Sequence, residues 1–133
     1  MEQKRSIRSY VLRQGRMTDA QKESIDKLMP KYGIEITKTK FDFNEIFGRQ
    51  AETILEIGFG MGQSLAQMAL DNPEINYVGI EVHQPGVGRL MHQLESDGIT
   101  NVKLLNEDAV IMLKEHIADG SLSGVQIFFP DPW

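Results

Sequence analysis

The sequence predicts an α/β fold: an open parallel sheet wound with helices on both faces. Three observations carry this. From residue 53 onward, short apolar runs alternate with segments of helical spacing. The runs TILEI, YVGIEV and VQIFF are nearly continuous in apolar character, as strands covered on both faces must be. A glycine run, Gly58-Phe59-Gly60-Met61-Gly62, follows the first of them. In such sheets ligands bind beyond the carboxyl ends of the strands.

The elements follow in order. Thr18 or Asp19 caps a helix that runs to about Met29, with Pro30 marking its end. Ile25, Leu28 and Met29 share its inward face. Phe41, Phe43, Ile46 and Phe47 form an aromatic-rich stretch with a short helix closed by Gly48. Residues 1–50 read as a basic arm and helical preface wrapped against a main domain of residues 51–133. There, Thr53–Ile57 is the first strand, and Gln63 to about Leu70 the next helix. Tyr77–Val82 is a strand, Val87 to about Ser96 a helix, and Val102–Leu105 a strand. Ala109–Ile117 is a helix, and Val125–Phe129 the fourth strand.

Composition bounds the function. The chain has 133 residues, room for one core, and 41% hydrophobic residues, enough to fold. It has no cysteine, which excludes disulfides, thiolate metal sites and a cysteine nucleophile. Its N-terminus lacks the apolar region of a signal peptide, and no apolar run is long enough for a membrane span. A cytoplasmic protein is the expectation. The net charge of −5 hides an asymmetry: Lys4, Arg5, Arg8, Arg13 and Arg16 face only Glu2 within residues 1–16. Such an arm suits a polyanion, and it equally suits a solvated tail. His83, His92 and His116 show no HExxH spacing, so no metal site is expected.

The strand ends carry the candidate chemistry. After the first strand, Glu56 leads into Gly58, Gly60 and Gly62 in the order E-x-G-x-G-x-G. The dinucleotide fingerprint would place a glycine three residues after Gly60, where Gln63 stands. This spacing disfavours a nicotinamide-dependent oxidoreductase. Glu81, at the end of the second strand, suits the two hydroxyls of a ribose, or a solvated or helix-capping role. Asp108, after the third strand, suits the exocyclic amine of adenine, the N-cap of the next helix, or both. Asp131 lies between Pro130 and Pro132, which hold its carboxylate stiffly, and Trp133 offers a face to a flat base.

Taken in order, these residues resemble the bacterial tRNA (guanine-N7-)-methyltransferase family. The resemblance runs through Ile7-Arg8-Ser9-Tyr10, Arg13-Gln14-Gly15-Arg16 and Phe47-Gly48-Arg49. It continues through Leu55 to Gly62, Gly79-Ile80-Glu81-Val82-His83, Pro85-Gly86-Val87-Gly88 and Asp108-Ala109. It ends on Phe129-Pro130-Asp131-Pro132-Trp133. The resemblance implies a Rossmann-like class I S-adenosylmethionine-dependent fold, with Glu56, Glu81 and Asp108 holding the cofactor and Asp131 in the catalytic region. It also implies tRNA contact by Arg5, Arg8, Arg13 and Arg16. Guanine N7 already presents a lone pair, so methyl transfer needs alignment and electrostatics more than a base.

The family continues past the position of Trp133 with further strands and a C-terminal segment. The expectation is therefore an incomplete parallel sheet truncated after the fourth strand, whose exposed edge is open to self-association. Little tRNA methylation is expected from this polypeptide alone. The alternative is a non-catalytic S-adenosylmethionine-binding fragment that self-associates or needs the missing C-terminal half.

Overall fold

The computed structural model describes residues 18–127. Arg5, Arg8, Arg13 and Arg16 of the arm, and Asp131 and Trp133, lie outside the described residues.

Four parallel strands form one sheet: β1 (Thr53–Ile57), β2 (Asn76–Ile80), β3 (Val102–Leu105) and β4 (Gly124–Ile127). Their order is β3-β2-β1-β4. Succession steps from β1 to β2 to β3, then returns to the far side of β1, so the switch point lies between β1 and β4. The helices are α1 (Asp19–Tyr32), α2 (Phe43–Phe47), α3 (Gln63–Asp71), α4 (Gln84–Asp97) and α5 (Ala109–Glu115).

Side-chain alternation along the strands builds two cores. Tyr77, Val102 and Leu104 face Leu65 and Ala69 of α3, Leu90 and Leu94 of α4, and Ile25 and Leu28 of α1. Leu55, Val78, Ile80 and Leu105 face the other way, onto Phe41, Phe43, Met112 and Ile117. Strands β1 to β3 are thus covered on both faces, as their apolar runs require, whereas β4, expected from its apolar run to be covered as well, leaves Val125 and Ile127 exposed. Residues 18–50 contribute to both cores: Ile25, Leu28 and Tyr32 to one, Phe41 and Phe43 to the other.

Four boundaries differ from the sequence reading. Helix α1 passes through Pro30 and ends at Tyr32. Proline removes one donor near an exposed helix end, a small loss there. The extra turn buries Tyr32, whose hydroxyl donates to Glu95 Oε1 at 2.7 Å beside the Lys31–Glu95 ion pair. Helix α4 begins at Gln84, three residues before Val87, because Pro85 suits the first turn of a helix. Strand β2 runs Asn76–Ile80, so Glu81 and Val82 lie just past its end. The helix expected to reach Ile117 ends at Glu115, with His116 as its C-cap.

Asn101 closes the end of the sheet opposite the glycine turn. Its buried amide nitrogen donates to the carbonyls of Ala69, Asn72 and Ile75 at 3.1, 3.2 and 2.9 Å. These carbonyls lie in the last turn of α3 and in its connection to β2. Replacing Asn101 with Ala should cost about 1–3 kcal/mol, because it strips buried acceptors of their donor. Urea unfolding checks this: the midpoint should fall with an unchanged slope.

Candidate functional site

The site grows from the carboxyl ends of β1, β2 and β3. Strand β1 delivers Glu56, which lies opposite Gly79 of β2. By alternation it shares the face of Ile54, toward α3 and α4. Gly79 leaves room there, since a Cβ would meet the ring of Phe59 at 2.7 Å and Leu65 at 2.8 Å. Glu56 is only 5% exposed, and among the described residues its carboxylate has no hydrogen-bond or ion-pair partner. Burial pushes its carboxyl above the ordinary glutamate range. A nearly buried acid without a donor is costly in a fold and informative about a ligand.

The turn that follows needs its glycines. Gly58, Gly60 and Gly62 have φ of 72°, 63° and 82°, a region that side-chain-bearing residues rarely adopt. Gly58 N–H donates to Ile80 O at 2.8 Å, which keeps the turn in line with β2. Gly62 is the N-cap of α3, and a Cβ there would collide with the side chain of Leu90.

Glu81 supports this turn directly. Its Oε1 accepts from the Gly60 N–H at 2.6 Å and its Oε2 from the His83 N–H at 3.1 Å. One carboxylate thus bridges the glycine turn and the N-cap of α4. Its backbone is anchored from β3: Glu81 N–H donates to Leu105 O at 3.0 Å, and Asn106 Nδ2 donates to Glu81 O at 2.7 Å. Asp108 is the N-cap of α5 and accepts from Ile111 N–H at 3.1 Å through Oδ1.

The structure therefore brings Glu81 and the glycine turn into direct contact, with Glu56 immediately ahead of the turn. Asp108 follows β3 two residues beyond Asn106, the link to Glu81. Three supporting residues escaped the sequence reading. Asn106 directly follows the third strand, but no sequence signal distinguishes a donor to a neighbouring carbonyl from a solvated amide. Gly86 and Gly88 stood in a family motif without a role. They prove to lie buried within α4, where helix propensity alone disfavours glycine.

A surface cleft of about 390 Å³ adjoins the turn, lined by Met61, Gln21 of α1, and Pro85, Arg89 and His92 of α4. It touches none of the three acids. His116 stacks on Phe41, with ring centroids 5.3 Å apart. Among the described residues no group of three or more histidines and acids gathers as a metal site. None of the described helices is long and apolar enough to cross a membrane.

The family described as "Putative methyltransferase" matches residues 50–133. The chain belongs to that family. Its curated relatives include a tRNA (guanine-N(7)-)-methyltransferase of Hydrogenovibrio crunogenus, 55% identical over 132 residues, which are 99% of this chain and 55% of that protein. A protein of the same name from Shewanella sp. (strain MR-4) is 51% identical, over 97% of this chain and 54% of its own length. The chain thus spans about half the length of the curated relatives it matches. Among solved structures, an antibiotic-related methyltransferase superposes with a TM-score of 0.57 at 19% identity, covering 74% of this chain and 50% of that one. The 30S ribosomal A1408 methyltransferase from an uncultured bacterium gives 0.51 at 22% identity, covering 74% of this chain and 48% of that one. Both establish the fold, a Rossmann-like class I methyltransferase fold.

The burial of Glu56 generates a prediction. A carboxyl raised in the folded state favours folding below its unfolded pKa, and loses that advantage as pH rises through the folded value. Glu56→Gln removes the ionisable group but keeps the shape. In the ligand-free chain it should unfold at a higher temperature than the parent at neutral pH. The gap should narrow as pH falls from the raised folded value toward the ordinary glutamate range, and be gone below it. Thermal unfolding across pH checks this, and a parent more stable than the variant at neutral pH would contradict it.

Proposed function

We propose that this chain carries the cofactor-binding part of a tRNA (guanine-N7-)-methyltransferase that uses S-adenosylmethionine. The observation that carries the reading is Glu56, a nearly buried carboxylate that has no donor among the described residues, placed at the mouth of the three-glycine turn. A ligand with a cationic or N–H-donating group would satisfy it, and S-adenosylmethionine has an ammonium. When bound, that cofactor supplies an electrophilic methyl group on a sulfonium. The glycine turn lets the backbone approach closely. Glu81 keeps its two backbone donors and still has lone pairs for ribose hydroxyls, since each carboxylate oxygen accepts more than one hydrogen bond. Asp108 caps α5 through one oxygen, which leaves Oδ2 suited to the adenine amine.

The choice of tRNA guanine rests on the relatives and on the motifs of the chain. Guanine N7 attacks the methyl carbon through an existing lone pair as the carbon–sulfur bond breaks, and positive charge moves from sulfur to the base. No proton has to leave N7, so the protein's task is alignment and charge stabilisation. Asp131 is the proposed catalytic carboxylate beside the base, with Arg5, Arg8, Arg13 and Arg16 as tRNA contacts. A cytoplasmic setting follows from the same substrate.

Strand β4 favours a second, compatible reading. It is an edge strand, with Val125 and Ile127 at 50% and 57% exposure, and edges of that kind pair readily. A fragment that binds cofactor without catalysis and self-associates through β4 would elute as a dimer in sizing experiments, and a monomer would count against it.

Two measurements test the main reading. Calorimetry should detect S-adenosylmethionine binding by this chain, with Glu56→Gln weakening it at least about tenfold through loss of a charged partner. Tritiated methyl transfer to unmodified tRNA, followed by nucleoside analysis, should yield 7-methylguanosine from a chimera joining this chain to the C-terminal part of a relative. In that chimera Asp131→Asn should lower turnover more than cofactor affinity. Label in another nucleoside would overturn the substrate assignment, and unchanged turnover would overturn the role of Asp131.

A further inference from the structure

The turn between β1 and α3 is held from the outside by residues that follow β2. Gly60 donates its N–H to Glu81 Oε1 at 2.6 Å. On the carbonyl side of that same residue, a Cβ placed on Gly86 would overlap the Gly60 oxygen. That neighbour is backbone, which cannot swing aside as a side-chain end can. Gly86 is itself fixed, because its N–H donates to His83 O at 3.1 Å in the first turn of α4. His83 N–H in turn donates to Glu81 Oε2 at 3.1 Å. Gly60 is therefore gripped at both its polar groups by one short segment, residues 81–86.

We propose that Gly86 is a positioning residue for the cofactor site: its missing side chain lets α4 press on the Gly60 carbonyl while Glu81 holds the Gly60 N–H, and this clamp sets the shape of the glycine turn. The inference rests on the cofactor reading above, and extends it to a residue that touches the turn and not the ligand. Gly60 has no means of holding itself. It sits at φ 63° in a segment of glycines, the residues that lose most conformational freedom on ordering. An ordered turn before the ligand arrives removes that cost from binding.

Gly88 supplies the control. It lies two residues along the same helix and is equally buried, but a Cβ there would meet the side chain of Ile25 on α1 at 3.0 Å and nothing in the turn. Gly86→Ala and Gly88→Ala both put a methyl group into α4. Only the first pushes on the turn.

The test is calorimetric titration of S-adenosylhomocysteine into the parent chain and both variants, with thermal unfolding of each. Gly86→Ala should weaken binding by about tenfold or more, because the added methyl must displace the Gly60 carbonyl and with it the ordered turn that receives the ligand. Gly88→Ala should keep affinity within about twofold whatever its unfolding temperature, since its added methyl meets α1 and not the turn. Equal losses in the two variants, or parent-like binding by Gly86→Ala, would overturn the role of Gly86 and leave the cofactor reading standing. Absence of binding by the parent itself would overturn both. Amide hydrogen exchange on the unaltered chain decides the matter if Gly86→Ala does not fold. A clamped Gly60 N–H should exchange slowly for a surface turn, and exchange at the rate of an open loop would refute the clamp.

Discussion

A single carboxylate, that of Glu81, ties together the parts on which the site depends. It joins the glycine turn after β1 to the N-cap of α4 after β2 through two backbone N–H groups. Its own backbone is pinned to β3 by Leu105 and Asn106. Three neighbouring strand ends are thereby registered against one another by hydrogen bonds to one residue. The parallel ladder alone would align the strands but would leave the connections beyond them free. Loops of that kind need such side-chain support, because their polar backbone groups have no ladder to join.

The cost of this arrangement falls on Glu56. Strand β1 is the inner strand flanking the switch point, with β2 on one side and β4 on the other. A charged residue there loses water and, among the described residues, gains no donor. A fold optimised only for its own stability would place an apolar residue at that point. The stored instability makes sense where a ligand relieves it, which is how sites commonly trade stability for binding.

Much of the fold was legible in the sequence because its strands are short, apolar and bounded by glycine or polar turns. β1 and β3 match their expected limits, Gly48 closes its short helix as expected, and both Gly48 and Gly98 are C-caps in the left-handed conformation. The start of α4 was harder, since Pro85 and two glycines look like loop residues until their packing is known. Gly86 is there for the backbone of Gly60 and Gly88 for the side chain of Ile25, contacts across 26 and 63 positions of sequence. Local periodicity cannot register partners at that separation. Pro30 misled for a related reason: the burial of Tyr32 and its bond to Glu95 outweigh one missing donor. Asp108 was read both as cap and as ligand. The cap is seen, and the ligand role stays with the proposal.

The central claim is that the carboxyl ends of β1, β2 and β3 form one cofactor site around Glu56, the glycine turn and Glu81. Its most direct test is a backbone amide chemical-shift map of the chain during titration with S-adenosylhomocysteine. The account predicts saturable shifts concentrated at residues 56–62, 81–86 and 106–109, with the turn around Asn101 at the opposite end of the sheet unmoved. Shifts clustered at that opposite end, or no saturable shifts at all, would contradict it.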